Sequence, residues 1–117
     1  MEKSVVYNVD GEIVRISANI LAKYPKSLFA IVANTDKMVV YDESNAICIN
    51  RENTWLGYIL DFMKHKTLPK SRLFLDVVRE EARFYKLDEL VGIINAKLEV
   101  DPFKILKTTY KPQFDGK

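Results

Sequence analysis

The sequence predicts an α+β (mixed α/β) layer domain, and three observations predict it. A strand-turn-strand signature opens the chain, a proline-split helical run follows, and helical periodicity dominates the second half. Strands and helices that segregate in this way argue against repeated βαβ units.

The elements follow in order. Residues 5–9 (VVYNV) and 12–16 (EIVRI) are rich in β-branched residues and flank Asp10-Gly11. That pair tolerates the positive φ angles of a tight turn, so the segment reads as a β-hairpin. The stretch SANILAKYPKSLFAIVA (17–33) carries two short helical patterns separated by Pro25, because proline disfavours helix at the residue before it. A mostly polar segment, 34–45, surrounds a short strand expected at 38–41, and AICIN (46–50) reads as a further strand. A helix is expected over 53–65, with Asn50 or Asn53 as its N-cap. Trp55, Ile59, Phe62 and Met63 recur at helical spacing there, and Leu56 and Leu60 widen the face. Beyond Pro69 lie a helix over about 72–85 and another over about 88–98, the latter with Leu87, Leu90, Val91, Ile94 and Leu98 on one side. Residues 99–117 hold two prolines and scattered aromatics and read as a tail, partly ordered or flexible.

A chain of 117 residues is one domain by length, long enough to bury about two thirds of its unfolded surface. The net charge of +2 is too mild to demand nucleic acid as a partner. No apolar run approaches the roughly 20 residues that span a bilayer, and the N-terminus lacks a signal-peptide pattern. The single cysteine, Cys48, excludes an internal disulfide framework and fits a reducing compartment. The expectation is a cytoplasmic protein, with the nucleus as an alternative, and no membrane partner.

The inventory for catalysis is poor. A nucleophile needs a base, usually histidine, and the only histidine is His65, in KHK at the end of an expected helix. There, positive charge suits the helix dipole. Cys48 lies between Ile47 and Ile49 on an expected strand, where a free cysteine behaves as a small apolar group. Two such residues cannot supply a zinc site, and the four single glycines build no phosphate-cradling loop. The basic stretch KHKTLPKSR (64–72) suits an acidic partner or phosphate, yet without interleaved aromatics it reads as a solvated loop.

The most chemical-looking segment is DVVREEARFYKLDEL (76–90). At 100° per residue, Asp76, Arg79, Glu80 and Arg83 share one solvated side, with opposite charges three apart. Glu81 instead falls in the arc of Phe74, Val77, Val78, Phe84 and Tyr85. A carboxylate inside an apolar arc must find a partner or lose its charge. Glu81 is therefore expected to be structural, buried and paired, with Arg51 or a helix-terminal N–H as its partner. Trp55, Phe84 and Tyr85 are expected as structural residues beside it.

Taken together, these pieces resemble the BTB (POZ) domain in its potassium-channel-tetramerisation-like form. That family opens with a strand ending Asn-Val-Gly-Gly, then Phe-x-Thr, a Leu and a Pro. Here NVDG (8–11), VRI (14–16), Leu21 and Pro25 fall in the same register. For the family's Phe-Ile-Asp-Arg-Asp the chain has CINRE (48–52), followed by Trp55, IL (59–60) and Leu68-Pro69. EEARFYKLDEL (80–90) is close to the family's Glu-Ala-x-Phe-Tyr-x-Leu ending. The resemblance covers about residues 4–98 and implies the BTB/POZ fold, a small mixed sheet covered by helices. It also implies protein–protein interaction and self-assembly into a tetramer or pentamer, and, for many soluble members, an adaptor role for a cullin-based ubiquitin ligase. The alternative is a stand-alone scaffold, or a short competitor, that does not bind cullin, since no substrate-recruiting domain fits into 99–117.

Carried over by position, the resemblance puts the oligomer interface at Asp10, Ile16, Asn50 and Arg51. Asp10, Val14, Ile16 and Asn50 stand where the family has Gly, Phe, Thr and Asp. A cullin would face the helical and loop surface near 26–45, represented by Lys26, Phe29, Tyr41 and Asp42. The zinc-binding His and Cys residues of some channel members are absent, so neither metal nor cofactor is expected, and no catalytic residue.

Overall fold

The first chain reversal sits at Asp10 and Gly11, whose φ angles of 50° and 96° are positive at both central positions, as a two-residue hairpin turn requires. The computed structural model describes residues 3–35 and 39–99. The turn joins β1 (Ser4–Val9) to β2 (Glu12–Ser17) in antiparallel register from Ser4 opposite Ser17 to Val9 opposite Glu12. On its other side β1 pairs in parallel with β3 (Ile47–Ile49), giving the order β2-β1-β3. The sheet is therefore mixed, as expected of the α+β domain. Side-chain alternation sends Tyr7, Val9, Ile16, Ile47 and Ile49 into the core.

Two serines start the short helices. Ser17 caps α1 (Ala18–Lys23) by accepting from Ile20 N, and Ser27 caps α2 (Leu28–Ala33) by accepting from Ala30 N. Each satisfies one of the N–H groups that a first helical turn leaves unpaired. Pro25 lies between them. The strand expected at 38–41 is reduced among the described residues to a bridge: Tyr41 pairs with Ile47, and Val40 O accepts from Cys48 N at 2.8 Å.

Three longer helices cover the sheet: α3 (Leu56–His65), α4 (Arg72–Phe84) and α5 (Asp88–Glu99). Ser71 caps α4 by accepting from Phe74 N. At its other end Leu87 N donates to Ala82 O and Lys86 N to Arg83 O, with Lys86 at φ 59°. This left-handed reversal satisfies the last carbonyls and drops Leu87 into the core, which turns the chain directly into α5. The expected tail begins at Glu99, the last residue of α5, and 100–117 lie outside the described residues.

Two expectations are corrected at α3. The helix starts at Leu56, and neither Asn50 nor Asn53 caps it. Asn53 Nδ2 instead donates to Val9 O at 3.0 Å and Asp10 O at 3.2 Å, bracing the hairpin turn. Because the helix begins three residues late, Trp55 precedes it and is only half-buried. Leu56, Ile59, Phe62 and Met63 take the core face. Trp55 belongs to a satellite cluster, 5.9 Å from Tyr58 and 5.2 Å from Phe74 between ring centroids.

Phe62, buried at 1% exposure, should therefore outweigh Trp55 in stability. Phe62→Ala is expected to cost about 3–5 kcal/mol, through lost transfer energy and the cavity left behind. Trp55→Ala should cost less than half of that. Urea unfolding of both variants, read at constant m-value, checks the order.

Candidate functional site

The Arg51–Glu81 pair joins the β3 end of the sheet to α4. Glu81 is 9% exposed, and Arg51 donates to it twice, Nε to Oε1 at 3.1 Å and Nη2 to Oε2 at 2.7 Å. Such a bidentate fork fixes orientation as well as charge. That hydrogen bond holds the Arg51 guanidinium above its ordinary pKa, with burial opposing it. The guanidinium also lies 4.5 Å over the Phe84 ring, so its hydrophobic face is used too. By contrast Glu80 pairs with Arg83 on the solvated side of α4, while Arg79, expected there too, is 22% exposed and bridges Asp76 to Asn95 Oδ1 of α5.

Around this pair the aromatics form a column. Phe84 meets Tyr85 edge-on at 4.9 Å, Tyr85 stacks on Phe29 at 4.6 Å, and Phe29 meets Tyr7 edge-on at 5.0 Å. Tyr7 Oη donates to Phe29 O at 2.7 Å, and Leu28 N donates to Tyr85 O at 2.8 Å. Burial pushes the Tyr85 phenol up to about 12, with the nearby Glu81 charge adding to it. Burial raises the Tyr7 phenol as well. Both phenols are neutral at any physiological pH; Tyr7 donates to Phe29 O, whereas the buried Tyr85 hydroxyl has no hydrogen-bond partner among the described residues.

This packing removes two residues from the surfaces expected of them. Ile16, expected at an oligomer interface, is 1% exposed, because strand alternation on β2 turns it inward. Phe29, expected on a partner surface, is 0% exposed at the centre of the column. Neither side chain has area left to offer another chain.

The other expected residues gather in two places. Asp10 and Asn50 are exposed and line one concavity with Val40 and Cys48, a space of about 340 Å³ at the rim of the sheet. Arg51 is next in sequence, but its head group is held by Glu81. Asp42 organises the adjoining turn: its carboxylate accepts from Asn8 Nδ2, Ser44 N and Ala46 N at 2.8–2.9 Å. Those bonds, the one from Asn8 foremost, hold its carboxyl below the ordinary value of 3.8. Tyr41 beside it is 47% exposed and Val40 is 66% exposed. Lys26 is exposed and lines a separate groove with Lys23 and Lys86. Sequence reasoning missed Asn8, Tyr7 and Asn53 as fixing residues. Only NV before Asp-Gly hinted that Asn8 would tie a turn down.

Among the described residues no group of three His, Cys, Asp or Glu side chains could hold a metal, and no helix is long and apolar enough to cross a membrane. What the geometry offers is a braced protomer with polar and small apolar rims, the surface of a protein-interaction domain. The BTB/POZ domain family matches residues 5–94, and the chain belongs to it. This is a family of protein-interaction and self-association modules rather than of enzymes. Similar relatives include the BTB/POZ domain-containing proteins KCTD17 of Homo sapiens, 28% identical over 93% of this chain, and KCTD5 of Rattus norvegicus, 30% identical over 84%. The SH3KBP1-binding protein 1 of Rattus norvegicus is 31% identical over 80% of the chain. The chain spans 35%, 43% and 13% of the lengths of these three.

Two outcomes follow. Glu81→Ala strands a partly buried guanidinium and should cost about 1–3 kcal/mol, whereas Glu80→Ala on the solvated side should stay within about 0.5 kcal/mol. Paired denaturant melts check this, and equal small effects would contradict the bracing role. For Asp42 the folded pKa lies below the unfolded one. Its contribution is therefore complete above 3.8 and is lost as pH falls through the lower folded value. Asp42→Asn should flatten the fall in melting temperature below that pH, measured in a series of acid melts.

Proposed function

We propose that the chain assembles into a closed ring of four or five copies and presents its outer rim to a cullin, as an adaptor module. The observation that carries the self-contact is the concavity shared by Asp10, Asn50 and Val40, which gathers exposed polar and apolar groups at the rim of the sheet. Closed cyclic assemblies reuse one heterologous contact around an axis, so a modest patch on each copy suffices for a stable ring. The interface is thus assigned to Asp10, Asn50 and Val40, without Ile16 and with Arg51 as their brace. The surface offered to a cullin centres on Tyr41, Asp42 and Lys26, without Phe29. A reducing compartment, cytoplasm or nucleus, suits the single free thiol of Cys48.

Light scattering coupled to size exclusion at micromolar concentration should give four or five times the 13.5 kDa protomer mass. The mass should be unchanged by chelator, and Val40→Asp should lower it. A clean 13.5 kDa species across a tenfold dilution overturns the ring. Capture of a purified cullin N-terminal domain, weakened by Tyr41→Ala with Lys26→Glu, tests the adaptor role separately. Capture that ignores both changes would move the surface elsewhere.

A further inference from the structure

The basic stretch 64–72 is largely exposed and forms the expected loop over 66–71. Together with the start of α4 and the last turn of α5 it walls a cleft of about 750 Å³. That volume lies within the range of sites that hold small ligands or short peptide segments. Among the described residues four cationic side chains line it, Lys66, Lys70, Arg72 and Lys97, and no acidic side chain does. Lys66 is the one whose charge is answered inside the protein, by Glu89 at 2.7 Å. Arg72 donates to a neutral carbonyl, Leu98 O, at 2.8 Å, which orients the guanidinium without cancelling its charge. Lys70 and Lys97 have no hydrogen-bond or ion-pair partner among the described residues. Three uncompensated cations therefore face one concavity in a chain whose net charge is only +2. The floor is apolar, built from Leu68, Pro69 and Leu75.

We propose that this cleft binds a short acidic peptide segment of a protein partner, with an apolar anchor side chain on the floor and carboxylates on Lys70, Arg72 and Lys97. An apolar floor under a basic rim suits a chain that alternates carboxylates with a leucine-sized group. A bare polyphosphate would leave that floor unused. The chain's own residues 100–117 carry four lysines against two aspartates, so their charge opposes occupancy of a basic cleft. The cleft is separate from the concavity of Asp10 and Asn50, so the proposal stands whether or not the ring forms.

The probe is a fluorescein-labelled Glu-Asp-Glu-Leu-Glu-Asp peptide, titrated against the full 117-residue chain by fluorescence polarisation. Binding should weaken as salt rises, since the screening length falls from about 10 Å at 0.1 M to about 3 Å at 1 M. Lys70→Glu with Lys97→Glu should weaken it at least about tenfold, because each reversal sets like charges against the peptide. Lys3→Glu, outside the cleft, should leave binding unchanged. Both lysines are exposed and have no ion pair among the described residues, so the double variant should keep its circular dichroism and melting temperature. The milder Lys70→Gln with Lys97→Gln gives the same reading if it does not. A Leu→Ser probe should bind several-fold more weakly. Three results overturn the proposal: no polarisation change at millimolar protein, equal affinity of the double variant, or a Leu→Ser probe that binds as well while inositol hexakisphosphate displaces both more tightly. A change of assembly mass in the double variant would assign the cleft to a second copy and overturn it too.

Discussion

The aromatic column from Tyr7 through Phe29 to Tyr85 is the contact on which the remaining structure depends. Each ring comes from a different layer: Tyr7 from the central strand, Phe29 from α2, and Tyr85 from the end of α4. The column ties sheet, first helical layer and second helical layer through one set of contacts, and two hydrogen bonds, one from a side chain and one from the backbone, lock it. Tyr7 Oη reaches Phe29 O, and Tyr85 O accepts Leu28 N. Aromatic pairs in these geometries add about 0.5–1.5 kcal/mol each beyond their area. A change at any ring therefore disturbs all three layers rather than one.

Arg51 and Glu81 extend that column to the surface. Phe84 links the buried stack to the guanidinium, and the guanidinium links it to Glu81 on the same helix. An ion pair alone is weak evidence for stability, because desolvation offsets much of its attraction. Here its role is orientation. It fixes the β3–α3 segment against α4, so Asn50, one residue before Arg51, is held at the sheet rim next to Asp10. The exposed groups assigned to recognition are thus positioned by groups that are not exposed.

Much of this was legible in the residues. Asp10-Gly11 between β-branched runs specifies the hairpin, and the 3.6-residue spacing specifies the long helices, because local periodicity carries both signals. The position of Glu81 in an apolar arc marked it as a group needing a partner, and the helical wheel distinguished it from Glu80. Burial that depends on a third element was not legible. The resemblance places Phe29 on a partner surface by position, which does not show that Tyr7 and Tyr85 close on it. Ile16 is likewise put at an interface by position, whereas the alternation of β2 turns it into the core. Trp55 was misjudged because Asn53, a natural helix cap, is spent on the hairpin turn. Helix ends were also obscured at Lys66 and Lys86, where left-handed residues stand without the usual glycine.

The same economy explains the character of the surface. Most large aromatics near the sheet are committed inward, so the rims offer polar side chains and modest apolar groups such as Val40 and Ile13. A patch of that composition binds weakly in a single encounter, since affinity follows well-packed anchors rather than area. The proposed ring would circumvent this, because every copy in a closed ring makes the contact twice and none can leave without breaking two. A stiff protomer is what makes closure favourable: if Asn50 and Asp10 moved independently, each contact would first have to order them. The inward column and the outward rim are therefore two sides of one requirement. In the proposed ring, the bracing inside would substitute for the large hydrophobic face that a lone dimer interface needs outside.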